Sequence, residues 1–470
     1  MARLWCVSST ILLAAMGTGA SAQDGFGGWS NDGLVRDQAR AGYVPSAEAF
    51  RIEGLLAEHH FPAREQRCVS RFCVLGAVGH GIHRPSGERS AYLVVEPVSG
   101  FDPNTFSRPP LDLAIVVDQS GSMQGWKLDA AKAAAHALVE QLDERDRVSI
   151  VAFSETAQVH LAPATVDREI LHASIEQIEI AGGTNIHAGL SLGYDQLETD
   201  GYDGLARFAR VILLTDERPN VGPTGRDEFM ELVGAHAARG RALTVIGVGL
   251  DLGAELANAM SQVEGGAMHY LEGAEAAPRL FEDLRRFVVP VAYGLSVHVE
   301  PSSGLRVAEV FGVPADRVTL HPDGSASFRA STVFFDPVRR GAVVRLAPRE
   351  PGSAAATDAD VRLRFSYRLP ETGERWQGER SVSHHSDHPD AAADFPTPGA
   401  YLAYALVSYA EELRASLSAW HAGQHPRALR HARAARHYLH FDRAIVRDGQ
   451  LDDERATIDD ILAAMGDAKP

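Results

Sequence analysis

Three oxygen-bearing side chains stand at alternate positions in one short stretch: Asp118, Ser120 and Ser122, within LDLAIVVDQSGSM at 111–123. One carboxylate and two hydroxyls are hard donors, and hard donors suit a cation such as Mg²⁺, Mn²⁺ or Ca²⁺. Gly121 lets the backbone turn tightly between the serines. Residues 111–117 are an almost unbroken apolar run with branched side chains. Such a run predicts a strand buried on both faces of a parallel sheet. Residues 127–142 read as a helix. A strand that ends in a polar loop and feeds a helix is where open α/β sheets hold their ligands.

The elements around this stretch follow the same logic. Between 108 and 290, apolar strand patterns fall at 111–117, 147–153, 211–215 and 242–248, with an antiparallel edge strand at 157–161. Helical patterns fill the intervals: 128–142, 167–178, 187–197, 226–238, 252–262 and 276–287. This alternation predicts a doubly wound, mostly parallel, Rossmann-like α/β sheet with helices on both faces. A Walker loop is lacking and no G-x-G-x-x-G follows a strand, so a nucleotide site is not expected.

A D-x-S-x-S pattern after a buried strand resembles the metal-ion-dependent adhesion site of von Willebrand factor A (VWA) domains, as found in bacterial exported VWA proteins. The resemblance implies two further ligands from separate loops. Thr184, in Gly182-Gly183-Thr184-Asn185, and Asp216, which closes VILLTD, stand where they are required. The implied chemistry is binding: Mg²⁺, or else Mn²⁺ or Ca²⁺, takes a Glu or Asp of a protein partner at an open coordination position. Many relatives have Gly after the second aspartate; this chain has Glu217, a candidate modulator of the ion. The resemblance also implies that helix 276–287 is the element that shifts between affinity states in some relatives. The leader is similar to that of the exported VWA proteins at Val35-Arg36, Gly42 to Pro45 and Arg51-Ile52-Glu53, with Gly54 in place of a second acid, and is read as packing structure.

Six regions are expected: a signal peptide at 1–22, a leader at 23–107, the VWA domain at 108–290, a β-sandwich at 291–382, a linker at 383–399 and a helical region at 400–470. The leader reads as short helices at 34–41 and 46–59, then strand-like residues at 73–98. From 291 the pattern switches to period two with Ser/Pro/Gly turns, which predicts antiparallel strands that can recruit 73–98. Three helices are expected at 401–420, 426–447 and 453–465. The His/Arg-rich middle of the second, RALRHARAARHYLH, reads as a solvated face rather than as a site for an acidic surface.

Arg3, the apolar run 4–16 and Ala20-Ser21-Ala22 fit an export signal, which places the mature chain in a periplasm or outside the cell. Cys6 lies early in the apolar run, so a lipid anchor is not expected. No later run approaches the roughly 18 apolar residues of a membrane span. The net charge of −17 argues against nucleic acid as partner. Cys68 and Cys73 are the cysteines left after export, and oxidising surroundings predict a local disulfide between them.

Two rivals to adhesion are carried forward. One is a scaffold in an envelope complex whose metal site is unused. The other is metal-assisted hydrolysis, for which Glu217 and His187 are the nearby bases; a G-x-S-x-G nucleophile elbow is read as absent. The stretch His384, His385, Asp387, His388 and Asp390 has the composition of a second metal site, but no helical or hairpin spacing fixes those ligands, and a polar linker is the expectation.

Overall fold

The computed structural model describes residues 32–61, 68, 70–102, 104–197, 207–216, 218–249, 254–271, 273–281, 284–336, 340–350, 352–446, 449 and 451–466. Residues 1–22, expected to be a signal peptide, and Glu217 lie outside the described residues.

The chain opens with helices α1 (Asp32–Arg40) and α2 (Ile52–Glu58). The second is shorter than the expected 46–59. Ser46 Oγ accepts from Ala49 N in a turn, and Arg51 is extended, so the helix begins only at Ile52. A long hairpin follows, β1 (Phe72–His83) and β2 (Glu88–Ser99), with Cys68 joined to Cys73 by a disulfide at its entrance.

The central sheet has six strands: β3 (Leu111–Asp118), β4 (Arg147–Phe153), β5 (Ala157–Thr165), β6 (Phe208–Thr215), β7 (Arg241–Val248) and β8 (Ala267–Leu271), in the order β5-β4-β3-β6-β7-β8. All neighbours are parallel except β5, which runs antiparallel at one edge. β3 lies inside the sheet, and all eight of its residues are buried. Its side chains alternate between two layers. Leu111, Leu113, Ile115 and Val117 join the core under α3 (Trp126–Glu140) and α4 (Arg168–Glu176). Ala114 and Val116 join the opposite core under α5 (Ile186–Asp195), α6 (Arg226–Ala237) and α7 (Ala254–Ser261). β8 is an addition to the expected strands; five residues with one polar histidine are too short a signal. The expected helix at 276–287 is instead two short pieces, α8 (Ala277–Leu280) and α9 (Arg285–Val288). Buried Phe281 and Leu284 lie between them and carry the chain toward the next strand.

That strand is β9 (Pro290–Pro301), followed by β10 (Leu305–Phe311), β11 (Val318–Leu320), β12 (Ala326–Phe334), β13 (Ala342–Pro348), β14 (Asp358–Arg368), β15 (Arg375–His385) and the two-residue β16 (Ala393–Asp394). They form two antiparallel sheets, β11-β12-β9-β14-β15 and β10-β13-β2-β1-β16. The N-terminal hairpin is therefore the middle of the second sheet. Residues 383–399, expected as a linker, contain the end of β15 and all of β16. In β2, Ala91, Leu93 and Val95 face the other sheet, while Tyr92 and Val94 face a helical layer.

The helical layer is α10 (Pro398–His421), α11 (His425–Val446) and α12 (Asp452–Ala464). Thr397 caps α10 by accepting from Ala400 N, and Pro398 takes the first turn, where no backbone donor is missed. The basic residues of α11 are in part paired within this layer, His431 with Glu412 and Arg436 with Asp459. The leader packs here too. Arg36 Nη2 is 2.5 Å from Glu58 Oε2 and 3.4 Å from Glu454 Oε1, and His59 Nε2 is 3.0 Å from the same Glu454 oxygen.

Burial opposes the charge on His59, but the Glu454 carboxylate outweighs it and holds the ring above its ordinary 6.5. The stabilisation from this raised pKa is present below the ordinary histidine value and is lost as pH rises through the folded value. Glu454→Gln is expected to cost about 3–5 kcal/mol, the range for breaking a buried ion pair. Chemical denaturation across pH 5–9 checks both statements: wild-type stability should decline toward the alkaline end by more than that of Glu454→Gln.

Candidate metal centre

Parallel β3 and β6 are neighbours with Val117 opposite Leu214. Asp118 and Thr215 therefore arrive side by side at one edge of the sheet, with Asp216 one residue on. This edge is the carboxyl end of the strands at which the chain passes from one side of β3 to the other, the position where α/β sheets bind ligands. Asp118 is fully buried, and both its oxygens are held: Oδ1 accepts from Ser120 N at 2.8 Å and Oδ2 from Thr215 Oγ1 at 2.6 Å. Burial pushes its carboxyl up to about 6; those hydrogen bonds work the other way, and the nearby Asp216 charge adds to the rise.

Ser120 Oγ lies 3.0 Å from Ser122 Oγ, and Ser122 Oγ donates to Asp216 Oδ1 at 3.0 Å. Oxygens at adjacent corners of an octahedral Mg²⁺ are separated by about 2.9 Å, from bonds of about 2.0–2.1 Å, whereas Ca²⁺ bonds give about 3.3–3.6 Å. The two observed edges are hydrogen bonds, whose ordinary length coincides with the Mg²⁺ edge, so such an ion would replace them with little movement of the oxygens. The donor set thus fits a hard divalent cation in kind.

The loop bearing Thr184 is tied to both others. Gly182 O accepts from Gly121 N at 3.0 Å, and Ala181 N donates to Gln119 O at 2.7 Å. Thr184 N donates to Asn220 Oδ1 at 2.8 Å, and Thr184 O accepts from Asn220 N at 3.0 Å. Gly182 is at φ +44°, and a side chain there would meet Glu155; one at Gly183 would meet Val221 at 2.7 Å. The loops that carry Asp118, Ser120, Ser122, Thr184 and Asp216 are thus bonded to one another.

Two site residues are not foreseen by the sequence reading. Asn220 holds the threonine loop, a role that exists only once the loops meet. Lys127 Nζ donates to Asp216 Oδ2 at 2.6 Å, so one candidate ligand already has a cationic partner. Lys127 sits in the first turn of α3, nine residues after Asp118, and its sequence position alone shows only a helix start.

Of the candidate bases, His187 packs edge-on against Phe229 with ring centroids 5.7 Å apart. Residues 189–193, Gly-Leu-Ser-Leu-Gly, do have the glycine and serine spacing of a nucleophile elbow, contrary to the sequence reading. They lie within α5 and not at a strand-to-helix turn. Their glycines serve packing: a Cβ at Gly189 would meet Phe153 at 2.6 Å, and one at Gly193 would meet Val116 at 2.5 Å.

Residues 113–218, which include all five candidate ligands, match the model of the von Willebrand factor type A domain. An uncharacterized protein of Synechocystis sp. is 32% identical over 180 residues, 38% of this chain and 41% of that protein. Pig inter-alpha-trypsin inhibitor heavy chain H4 is 29% identical over 211 residues, 44% of this chain and 23% of that one. An uncharacterized Escherichia coli protein is 24% identical over 276 residues, 57% of this chain and 47% of that one. The match spans less than half the length of each of these relatives. Among solved structures, a von Willebrand factor type A protein from Catenulispora acidiphila aligns over 85% of this chain and 98% of its own, at 15% identity and a TM-score of 0.47. The central α/β sheet with its flanking helices is a von Willebrand factor type A domain.

Proposed function

We propose that this chain is a metal-dependent docking protein that works outside the cytoplasm. In this reading Mg²⁺ is held by Asp118, Ser120, Ser122, Thr184 and Asp216, and a carboxylate of a protein partner completes its coordination. The observation that carries the reading is that Asp118, Ser120, Ser122 and Asp216 stand on mutually bonded loops at the carboxyl end of β3 and β6, with the Thr184 loop tied to them. Charge supports it. Two ligand carboxylates against the one ammonium of Lys127 leave the site a single negative charge, so a divalent ion would keep one positive charge to offer a partner. Trp126, half-exposed at the start of α3 beside this site, adds the kind of aromatic anchor that dominates protein interfaces. Binding is preferred over hydrolysis because the serines are ligands and His187 is turned to a packing contact.

The Lys127–Asp216 pair also favours a second reading: a scaffold in which the ammonium takes the place of the cation and the site is not used. Thermal unfolding separates the two. Under the docking reading, Mg²⁺ at about 100 times its Kd stabilises the wild type by about 2.7 kcal/mol, a rise of a few degrees, and Asp118→Ala abolishes the rise. An equal shift in wild type and Asp118→Ala sinks the metal site. Lys127→Met should lower the melting temperature without Mg²⁺ and enlarge the increment that Mg²⁺ adds, because Asp216 loses its internal partner.

Docking has its own readout. Capture of partners from an envelope extract should be lost with chelator and restored by Mg²⁺. Trp126→Ala should weaken capture several-fold while leaving the Mg²⁺ melting shift intact; capture indifferent to chelator supports the scaffold.

A further inference from the structure

The stretch from His384 to Asp390 does not gather its own residues. On β15, His385 turns outward and pairs with Asp358. His384 turns inward, on the same face as buried Val382. There it meets two residues from other strands. His80 on β1 and Asp394 on β16 are directly opposite each other in the antiparallel register, so their side chains emerge on one face. One donor atom from each of His80, His384 and Asp394 lies within 4.8 Å of the other two.

We propose that His80, His384 and Asp394 form a Zn²⁺ site, distinct from the adhesion-site loops, at the seam where β16 joins the sandwich. Two imidazoles and a carboxylate are a donor set suited to zinc. Tetrahedral ligands at bonds of about 2.0–2.1 Å stand about 3.4 Å apart. His384 Nε2 is 3.5 Å from Asp394 Oδ2 and makes no hydrogen bond to it.

The second observation is His80 itself. Its ring is fully buried, and neither nitrogen has a hydrogen-bond partner. The Ala391 carbonyl lies near enough to favour the protonated ring but outside hydrogen-bond geometry, and it already accepts from Arg89. The oxygen that faces His384 is itself held by protein, since Ser386 Oγ donates to Asp394 Oδ2 at 2.5 Å. A partner of this kind fixes a metal-binding carboxylate in place. The other grouping of similar size, His83 with Glu309 and Glu411, differs in this respect. His83 Nδ1 is bonded to Ser86 and Nε2 to Glu411, so that ring is already satisfied.

The ion would clip three strands from two sheets. β16 has only two residues in its ladder, and α10 begins four residues after it. A metal here pins the connection between the sandwich and the helical layer by closing the loop between His384 and Asp394.

The test uses the full mature chain, stripped with chelator and held in excess Mg²⁺ to occupy the adhesion-site loops. Calorimetric titration with Zn²⁺ should show one saturable site per chain. Co²⁺ in its place should give the visible absorption of a tetrahedral ion. Asp394→Asn and His384→Gln, both on partly exposed positions, should each weaken Zn²⁺ binding tenfold or more and remove the Co²⁺ band. Asp118→Ala and His385→Gln should leave both signals unchanged. Absence of one-to-one Zn²⁺ binding in the wild type overturns the proposal. So does binding that survives in both Asp394→Asn and His384→Gln, or that is lost in Asp118→Ala.

Discussion

A buried carboxylate at the end of an interior strand is the constraint around which the VWA domain is arranged. Asp118 is closed off from water, and no cationic side chain is bonded to it among the described residues. Its two oxygens are aimed by Ser120 N and Thr215 Oγ1, one from its own loop and one from the neighbouring strand. This double hold sets the path of the loop, and the path sets where Ser120 and Ser122 present their hydroxyls. Lys127 goes to Asp216, not to Asp118. A buried charge is thus left with hydroxyl and backbone partners and the Asp216 carboxylate nearby, an arrangement that would gain from a cation.

The rest of the chain is built around a sheet that no single region supplies. β1 and β2 precede the VWA domain, β10 and β13 follow it, and β16 comes after the sandwich strands. The VWA domain is therefore inserted between strands that pair with one another across more than 200 residues, as Leu93 does with Val344. The other face of this sheet is covered by α10, and the leader is tied to α12 in the same layer through Arg36, His59 and Glu454. The VWA domain and a helical layer are thereby carried on one framework. His80, His384 and Asp394 lie where three strands of that framework meet, so an ion there would act on its cohesion and not on the loops around Asp118.

Local pattern was enough wherever a residue's role depends on its own segment. The apolar run 111–117, the period-two strands after 291 and the three C-terminal helices all appear where periodicity places them, because burial of one face or both is written into their side chains. The five candidate ligands were legible for a related reason: each sits at the end of its own strand or loop, in short motifs that resemble those of VWA domains. The expected helix at 276–287 was not decided locally, since its apolar residues serve equally a helix or a buried turn, and packing chose two short pieces.

What the sequence by itself determined was the α/β alternation, the antiparallel strands, the local cysteine pair and the donors offered to a cation. Only the tertiary structure decided which donors meet. Lys127 reached Asp216, and Asn220 reached Thr184, through contacts between separate loops. His384 parted from His385 because adjacent residues of a strand face opposite sides. It joined His80, which is 304 residues earlier in the chain. Strand register brings such residues together, and register depends on pairing partners that no short window of sequence contains.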